Sequence, residues 1–306
     1  DNSARGNLDL GNSDPDVLQF DAGAGRTSYL VVGGNDYEDI LANYTALTGR
    51  QPMPPRWAFG NFASRFGYHS EADTRDVVQR FRDLDIPLDA VVLDIFWFGP
   101  DIQGHMGNLD WDRNAFPTPE KMIADMKDDG FNVCLWQLPY FTPKNTLFDE
   151  IVEKGLVVKD KKGNIPYEDA TLDFTNPETI DWYQNKIAGL LKQGVGVIKV
   201  DFGEAAPASG IYSNGRTGFY EHNLFPLRYN KTVADITKKV TGESIIWARS
   251  TWAGSQRYPL HWGGDAATTN TAMAATLRGG LSLGVSGFSF WSHDVGGFTT
   301  KAPEDL

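Results

Sequence analysis

The chain has 306 residues, 41% of them hydrophobic and 12% aromatic, which is enough to bury a large core and excludes a disordered chain. A net charge of −12 argues against nucleic acid or an anionic membrane as partner, because both need clustered cations, and it suits a neutral ligand. The single cysteine, Cys134, excludes an internal disulfide and a cysteine-based zinc cluster.

The first fifty or so residues are rich in Gly, Asp, Asn and Ser. They hold one strand-like run, Ser28-Tyr29-Leu30-Val31-Val32, and a helical stretch from Tyr37 to Leu47. Gln51-Pro52-Met53-Pro54-Pro55 cannot be helix interior and marks a boundary. The chain begins with Asp1, and we expect a processed or trimmed chain whose compartment, export included, stays open. No stretch is apolar for long enough to span a membrane. Lys159, Lys161 and Lys162, followed by Gly163 and Asn164, read as a solvated turn. Asn43-Tyr44-Thr45 and Asn230-Lys231-Thr232 fit the glycosylation pattern.

From Arg56 onward short apolar runs alternate with amphipathic helices. The runs are Trp57–Phe62, Ala90–Ile95, Asn132–Gln137, Val195–Phe202, Ser244–Arg249, Leu260–Trp262 and Gly287–Trp291. Continuous apolar runs of this length suit strands covered on both faces, and Cys134 reads as a small buried residue within one of them. Ser70 is a plausible N-cap for a helix whose apolar face is Val77, Val78, Phe81 and Leu84. Thr118-Pro119-Glu120 and Asn176-Pro177-Glu178 start two more, stopped at Gly130 and Gly194. Further helices are predicted over Leu227–Val240 and Asn270–Leu281.

Alternating strands and helices imply a parallel sheet. The first strand is followed by Ala63-Ser64-Arg65-Phe66-Gly67-Tyr68, which lacks the Gly-rich loop of a doubly wound dinucleotide fold. We therefore predict an α/β chain folded as a (β/α)8 TIM-type barrel. Seven strands are counted rather than eight, so the last unit is expected to be missing.

In such a barrel the functional residues lie at the carboxyl ends of the strands. Asp94, Asp201 and Asp265 each follow an apolar run, with Lys199, Glu204, Arg249, His293 and Asp294 at comparable positions. One such Asp alone is as readily a capping residue. Three at three strand ends, with Lys and Arg among them, point to chemistry. Two carboxylates flanking a glycosidic bond perform glycoside hydrolysis, one attacking carbon or activating water and the other protonating the leaving oxygen. The donor must keep its proton near neutral pH, and Trp262 near Asp265 offers an apolar wall. Lys199 shares a strand face with Asp201 and can hold it ionised or bind a hydroxyl. Five His without a His-x-His or His-Glu-x-x-His pair make a metal mechanism the weaker reading, although three carboxylates can hold Mg²⁺ or Ca²⁺. No phosphate loop and no Gly-x-Ser-x-Gly elbow is present.

The segment Ile198-Lys199-Val200-Asp201-Phe202-Gly203-Glu204 resembles the nucleophile motif of glycoside hydrolase family thirty-one, in the form typical of its α-xylosidases. His261-Trp262-Gly263-Gly264-Asp265 resembles the family's acid/base motif, and Trp291-Ser292-His293-Asp294-Val295-Gly296-Gly297-Phe298 its substrate-binding loop. Ala248-Arg249-Ser250 matches a segment with a substrate-contacting Arg. The stretches around Arg65 and Asp110 are similar to the family's α-glucosyltransferases. The resemblance implies a retaining mechanism with Asp201 as nucleophile and Asp265 as acid/base. It implies sugar-binding roles for Asp94, Lys199, Arg249, His293, Trp136, Phe66 and Trp262, with Trp97 or Phe98 nearby. It implies no cofactor and no metal. It also implies that residues 1–54 close an N-terminal β-sandwich and that 55–306 form the catalytic barrel. The expected partner is an oligosaccharide or polysaccharide-derived α-glycoside, neither nucleic acid nor membrane, with oligomeric state open. Two alternatives stand beside hydrolysis of terminal α-linked glucose or xylose. One is transglycosylation by the same residues, and the other a non-catalytic carbohydrate-binding barrel.

Overall fold

The computed structural model describes residues 6–23 and 28–299. Seven parallel strands form one sheet, here numbered β1 (Phe62–Ala63), β2 (Ala90–Leu93), β3 (Asn132–Gln137), β4 (Val197–Val200), β5 (Trp247–Ala248), β6 (His261–Trp262) and β7 (Trp291–Ser292). They pair in chain order, with β1 and β7 at the two edges among the described residues. This order, with helices between most strands, is that of a (β/α) barrel.

The strands alternate side chains between two cores. Val92, Cys134, Val197, Ile245, Trp247, Leu260 and Trp262 form the inner cluster. Val91, Leu93, Val133, Leu135, Ile198 and Val200 pack outward against the helices. Burying one such Val or Leu contributes about 1.5–3 kcal/mol, so the sheet is held from both faces. The side-chain period of two then dictates what reaches the mouth. Two residues beyond Val92 is Asp94, beyond Cys134 is Trp136, and beyond Val197 is Lys199 followed by Asp201. Trp136, Lys199 and Trp247 stand side by side in register across β3, β4 and β5.

The helices keep their predicted caps. Ser70 accepts from the Asp73 amide at 3.1 Å and starts the helix Glu71–Asp83. Asn176 accepts from the Glu178 amide at 3.0 Å ahead of Pro177–Lys192. Pro119–Asp128, Phe225–Thr241 and Asn270–Val285 complete the main helices.

Three strand predictions are corrected. Trp57 begins no strand: Arg56–Phe59 is a 3₁₀ turn entered from Pro55, and β1 starts only at Phe62. Pro54 and Pro55 remove two amides and favour a turn over a sheet there. Ser28–Val32 forms no strand, and Tyr29, Leu30 and Val31 are exposed. The last strand is shifted from Gly287–Trp291 to Trp291–Ser292, because Gly287 adopts a left-handed φ of 97°. Two features escaped the sequence reading, an antiparallel hairpin of Gly6–Leu10 with Leu18–Ala22 and an antiparallel pair of Tyr140–Phe141 with Ala170–Thr171. The N-terminal helix Tyr37–Thr48 is tied to the barrel by Gln256, whose amide donates to Thr48 and Gly49 at 2.7 and 2.9 Å. Lys161 and Lys162 lie in an exposed turn closed by Asp160, as expected. Asn230 is fully buried and donates to the Ser250 carbonyl, so it is no glycosylation acceptor in this fold.

Candidate active site

The carboxyl ends of β2 to β7 bring seven charged side chains together, Asp94, Lys199, Asp201, Glu204, Arg249, Asp265 and Asp294. Asp94 follows β2 and is 6% exposed. Its Oδ2 accepts from the Lys199 ammonium at 2.9 Å and its Oδ1 from the Ile95 amide at 3.0 Å. Lys199 also lies 5.2 Å from the Trp247 ring and 4.9 Å from the Trp262 ring. Burial alone would drive this ammonium to lose its proton. The carboxylates of Asp94 and Asp201 outweigh that and hold its pKa above the usual lysine value. Lys199 is therefore a fixed cation set in an aromatic and carboxylate cradle.

Asp201 follows β4 and is as buried as Asp94. Trp136 Nε1 donates to its Oδ2 at 2.7 Å, and the Phe202 amide donates to its Oδ1 at 2.7 Å. The backbone of Trp136 is held in turn by Trp97, whose Nε1 donates to the Trp136 carbonyl at 3.0 Å. The chain turns sharply after Asp201. Phe202 takes a left-handed φ of 58°, and Gly203 follows at 105°. A non-glycine residue in that region is strained and needs support. Ser250 donates its hydroxyl to the Phe202 carbonyl, while the Gly203 and Ala205 amides both donate to the Tyr140 hydroxyl at 3.1 and 2.9 Å. A Cβ at Gly203 would meet the Ser250 hydroxyl at 2.5 Å, which is why glycine stands there.

Arg249, two residues beyond Trp247, crosses the mouth. Its Nη1 lies 3.1 Å from Asp201 Oδ1 and 3.4 Å from Asp265 Oδ2, and its Nη2 pairs with Glu204. Its guanidinium sits 4.1 Å from the Phe202 ring centroid. Because one nitrogen touches both carboxylates, those two oxygens lie within about 6.5 Å of each other. Asp265 is solvent-facing, its side chain 44% exposed against 9% for Asp201. Trp262 is buried beneath the site, its ring against Lys199 and Trp247.

Phe66 and His293 sit at the rim. Phe66 is exposed and packs against Phe96 and Phe298 at 5.8 and 6.0 Å. His293 is exposed beside Trp291 at 6.2 Å. Next to it, Asp294 faces Lys199, Asp265 and Asp201, and burial raises its carboxyl above the usual range. Sequence reasoning had Asp294 at a strand end without a role, and only its neighbours in space reveal that it belongs to the charged cluster. Tyr140 and Trp247 were missed because their contacts cross between strands, for which the sequence offers no local signal. Phe98, 2% exposed, packs 5.9 Å from Trp136 and completes the wall below. Cys134 lies inside the barrel, and burial pushes its thiol far up, so it is no nucleophile. Among the described residues no group of three His, Cys, Asp or Glu side chains is arranged to hold a metal. A cavity of about 740 Å³ lined by Trp57, Asn132 and Val195 opens at the opposite, amino ends of the strands, away from these carboxylates.

A parallel barrel with carboxylates, fixed cations and aromatic walls at its carboxyl mouth holds the parts that glycoside hydrolysis uses. The chain belongs to glycosyl hydrolases family 31, whose TIM-barrel domain model matches residues 51–306. It is 35% identical to the alpha-xylosidase XylQ of Lactiplantibacillus pentosus, over 97% of this chain and 40% of that protein. It is 30% identical to alpha-glucosidase 2 of Bacillus thermoamyloliquefaciens, over 95% of this chain and 39% of that protein. Among solved structures, the Flavobacterium johnsoniae dextranase of this family, complexed with glucose, superposes with a TM-score of 0.87 at 30% identity, covering 97% of this chain and 39% of its own. The chain thus spans about two fifths of the length of these relatives.

Proposed function

We propose that the protein is a retaining, exo-acting α-glycosidase that releases terminal non-reducing α-linked glucose or xylose through a covalent glycosyl-enzyme. The observation that carries this reading is the shared contact of Asp201 and Asp265 with Arg249 Nη1. A separation within about 6.5 Å is on the near side of the range in which inverting enzymes seat a water, and it suits direct attack.

Asp201 Oδ attacks the anomeric carbon as the bond from that carbon to the leaving oxygen breaks. Asp265 delivers its proton to that oxygen. Water then enters where the leaving group departed, Asp265 takes a proton from it, and its oxygen displaces Asp201 from carbon. Asp94, Lys199, Arg249, Trp136 and Trp262 hold the sugar in the innermost subsite, with Phe66 and His293 at its entrance. Arg249 must give way from Asp265 as the sugar enters, since it bridges the space where the scissile bond has to lie. The named relatives, an α-xylosidase and an α-glucosidase, support these two sugars. The hairpin carries Leu8, Leu10, Leu18 and Phe20 exposed on one face. That uncovered face supports reading residues 1–54 as the end of a β-sandwich ahead of the barrel at 55–306.

Transfer is the second reading, favoured by the exposed Phe66 and Phe298 rings, which offer flat faces for an acceptor sugar. The test is turnover of 4-nitrophenyl α-xyloside and α-glucoside by the full-length protein beside Asp201→Ala and Asp265→Ala. Turnover of one substrate, abolished by Asp201→Ala, is expected. Turnover that survives Asp201→Ala would remove the nucleophile assignment, and longer oligosaccharides among the products would favour transfer.

A further inference from the structure

The acid/base loop and the loop after β7 are fastened to each other by backbone hydrogen bonds and one close contact. Beyond the last strand pairing, Trp262 with Ser292, the Gly263 amide still donates to the Ser292 carbonyl at 3.1 Å. The β7 loop then folds back in a turn closed by the Gly297 amide donating to the Asp294 carbonyl at 3.0 Å. It returns to the acid/base loop, where the Phe298 amide donates to the Ala266 carbonyl at 2.8 Å. Ala266 is the residue after Asp265. Beside this bond Gly297 lies directly on Thr268. A Cβ there would stand 2.5 Å from the Thr268 Cα, 2.6 Å from its Oγ1 and 2.8 Å from its backbone nitrogen. Two of the three are backbone atoms of a residue only 3% exposed, so turning the Thr268 side chain cannot relieve the clash.

We propose that Gly297 is a positioning residue for Asp265: its missing side chain lets the β7 loop seat against Thr268 and set where the carboxyl of Asp265 meets the leaving oxygen. This rests on Asp265 being the proton donor. The Asp265 side chain is solvent-facing, and its ion pair with Arg249 Nη1, at 3.4 Å, is long. Its placement therefore depends on its backbone, which the β7 loop grips one residue and three residues further on. Gly296 supplies the internal control. It has a left-handed φ of 87°, like the 82° of Gly297, but nothing lies within 4 Å of where its Cβ would be. Alanine at either position strains the backbone, and only alanine at 297 pushes on the acid/base loop.

The experiment compares kcat/KM for glycosyl fluoride, 4-nitrophenyl and phenyl α-glycosides of the preferred sugar. Fluoride departs with little help from a proton, whereas phenoxide needs it. Gly297→Ala is expected to lose about 100-fold on the phenyl glycoside, the scale of an ångström's misplacement, and roughly ten-fold less on the fluoride. Gly296→Ala is expected to show no such gradient. A loss of equal size on all three substrates for Gly297→Ala, or the same gradient in Gly296→Ala, overturns the proposal. If Gly297→Ala does not yield folded protein, Thr268→Ala loosens the same contact from the other side. A gradient there supports the proposal and a flat profile overturns it. Asp265→Ala, run in parallel, must show the steepest gradient. If it is flat, the acid/base assignment itself fails, and the proposal with it.

Discussion

Replacing Lys199 with Met should turn the innermost subsite from a balanced ion pair into a buried, unpaired carboxylate. Met keeps most of the stem that lies between Trp247 and Trp262 but removes the charge. The two side chains of the pair are each 8% exposed, so water cannot replace the lost ammonium at Asp94. Breaking one side of such a pair costs about 3–5 kcal/mol. The lost cation–π contacts add to this by about 0.5–2 kcal/mol each, and sulfur–aromatic contacts return about 0.3–1.5 kcal/mol. At mid-range these terms leave a net loss of about 5 kcal/mol near neutral pH, which corresponds to a fall in Tm of roughly 10–20 °C. The pH dependence carries the sharper test. Burial raises the Asp94 carboxyl, and Lys199 is what opposes it. Without Lys199 the folded form holds a proton on Asp94 above the unfolded pKa of about 3.9. Within that window stability falls as pH rises, so the deficit is largest at neutral pH and shrinks toward about pH 4. In the unsubstituted protein the raised Lys199 pKa contributes stability that is complete below the unfolded lysine value and lost only as pH rises through the folded one. Thermal melts across pH decide the matter. An unchanged Tm, or a deficit that stays constant on acidification, would refute the reasoning.

Three further substitutions probe other parts of the mouth. Trp136→Phe keeps an aromatic ring but removes the N–H donated to Asp201 and part of a buried indole, and should lower kcat/KM about ten-fold or more with a stability loss of roughly 1–3 kcal/mol, checked by steady-state kinetics and thermal melts. Tyr140→Phe withdraws the acceptor shared by the Gly203 and Ala205 amides. Gly203 is buried and Ala205 exposed, so a stability loss of about 1–2 kcal/mol with a lower kcat is expected, checked by denaturant titration and steady-state kinetics. His261 is buried with both ring nitrogens unpartnered, and burial lowers its pKa to about 3. The unfolded chain takes up that proton near the ordinary histidine value of about 6.5, so the stability is present above that value and lost as pH falls toward about 3. His261→Phe should therefore flatten the fall of Tm between neutral and acid pH, and an unchanged slope would contradict it.

The barrel was legible because its signals are local. Continuous apolar runs bounded by turns announced β2 to β4, and Ser70 and Asn176 announced their helices through capping oxygens that need no tertiary partner. Trp57–Phe59 misled because an apolar run between Pro55 and Gly60 satisfies the composition of a strand without its hydrogen bonding. The N-terminal hairpin was invisible for the opposite reason. Its strands, Gly6–Leu10 and Leu18–Ala22, are rich in Gly, Asn and Asp, which lower strand propensity. At the site, strand-end position and two-residue periodicity were enough to bring out Asp94, Lys199, Asp201 and Arg249. What the sequence could not convey was partnership. Lys199 was expected to serve Asp201, yet its hydrogen bond goes to Asp94 at a separation of 105 residues. Tyr140 and Trp247 act across strands for the same reason.

The assignment of Asp201 as nucleophile is open to one direct measurement. The full-length protein is inactivated with a 5-fluoro-α-glycosyl fluoride, digested, and its peptides sequenced by mass spectrometry. A fluoroglycosyl group on the peptide Val200-Asp201-Phe202, attached at Asp201, is the expected result. Attachment at Asp94, Asp265 or Glu204, or turnover with inverted product and no adduct, would contradict it.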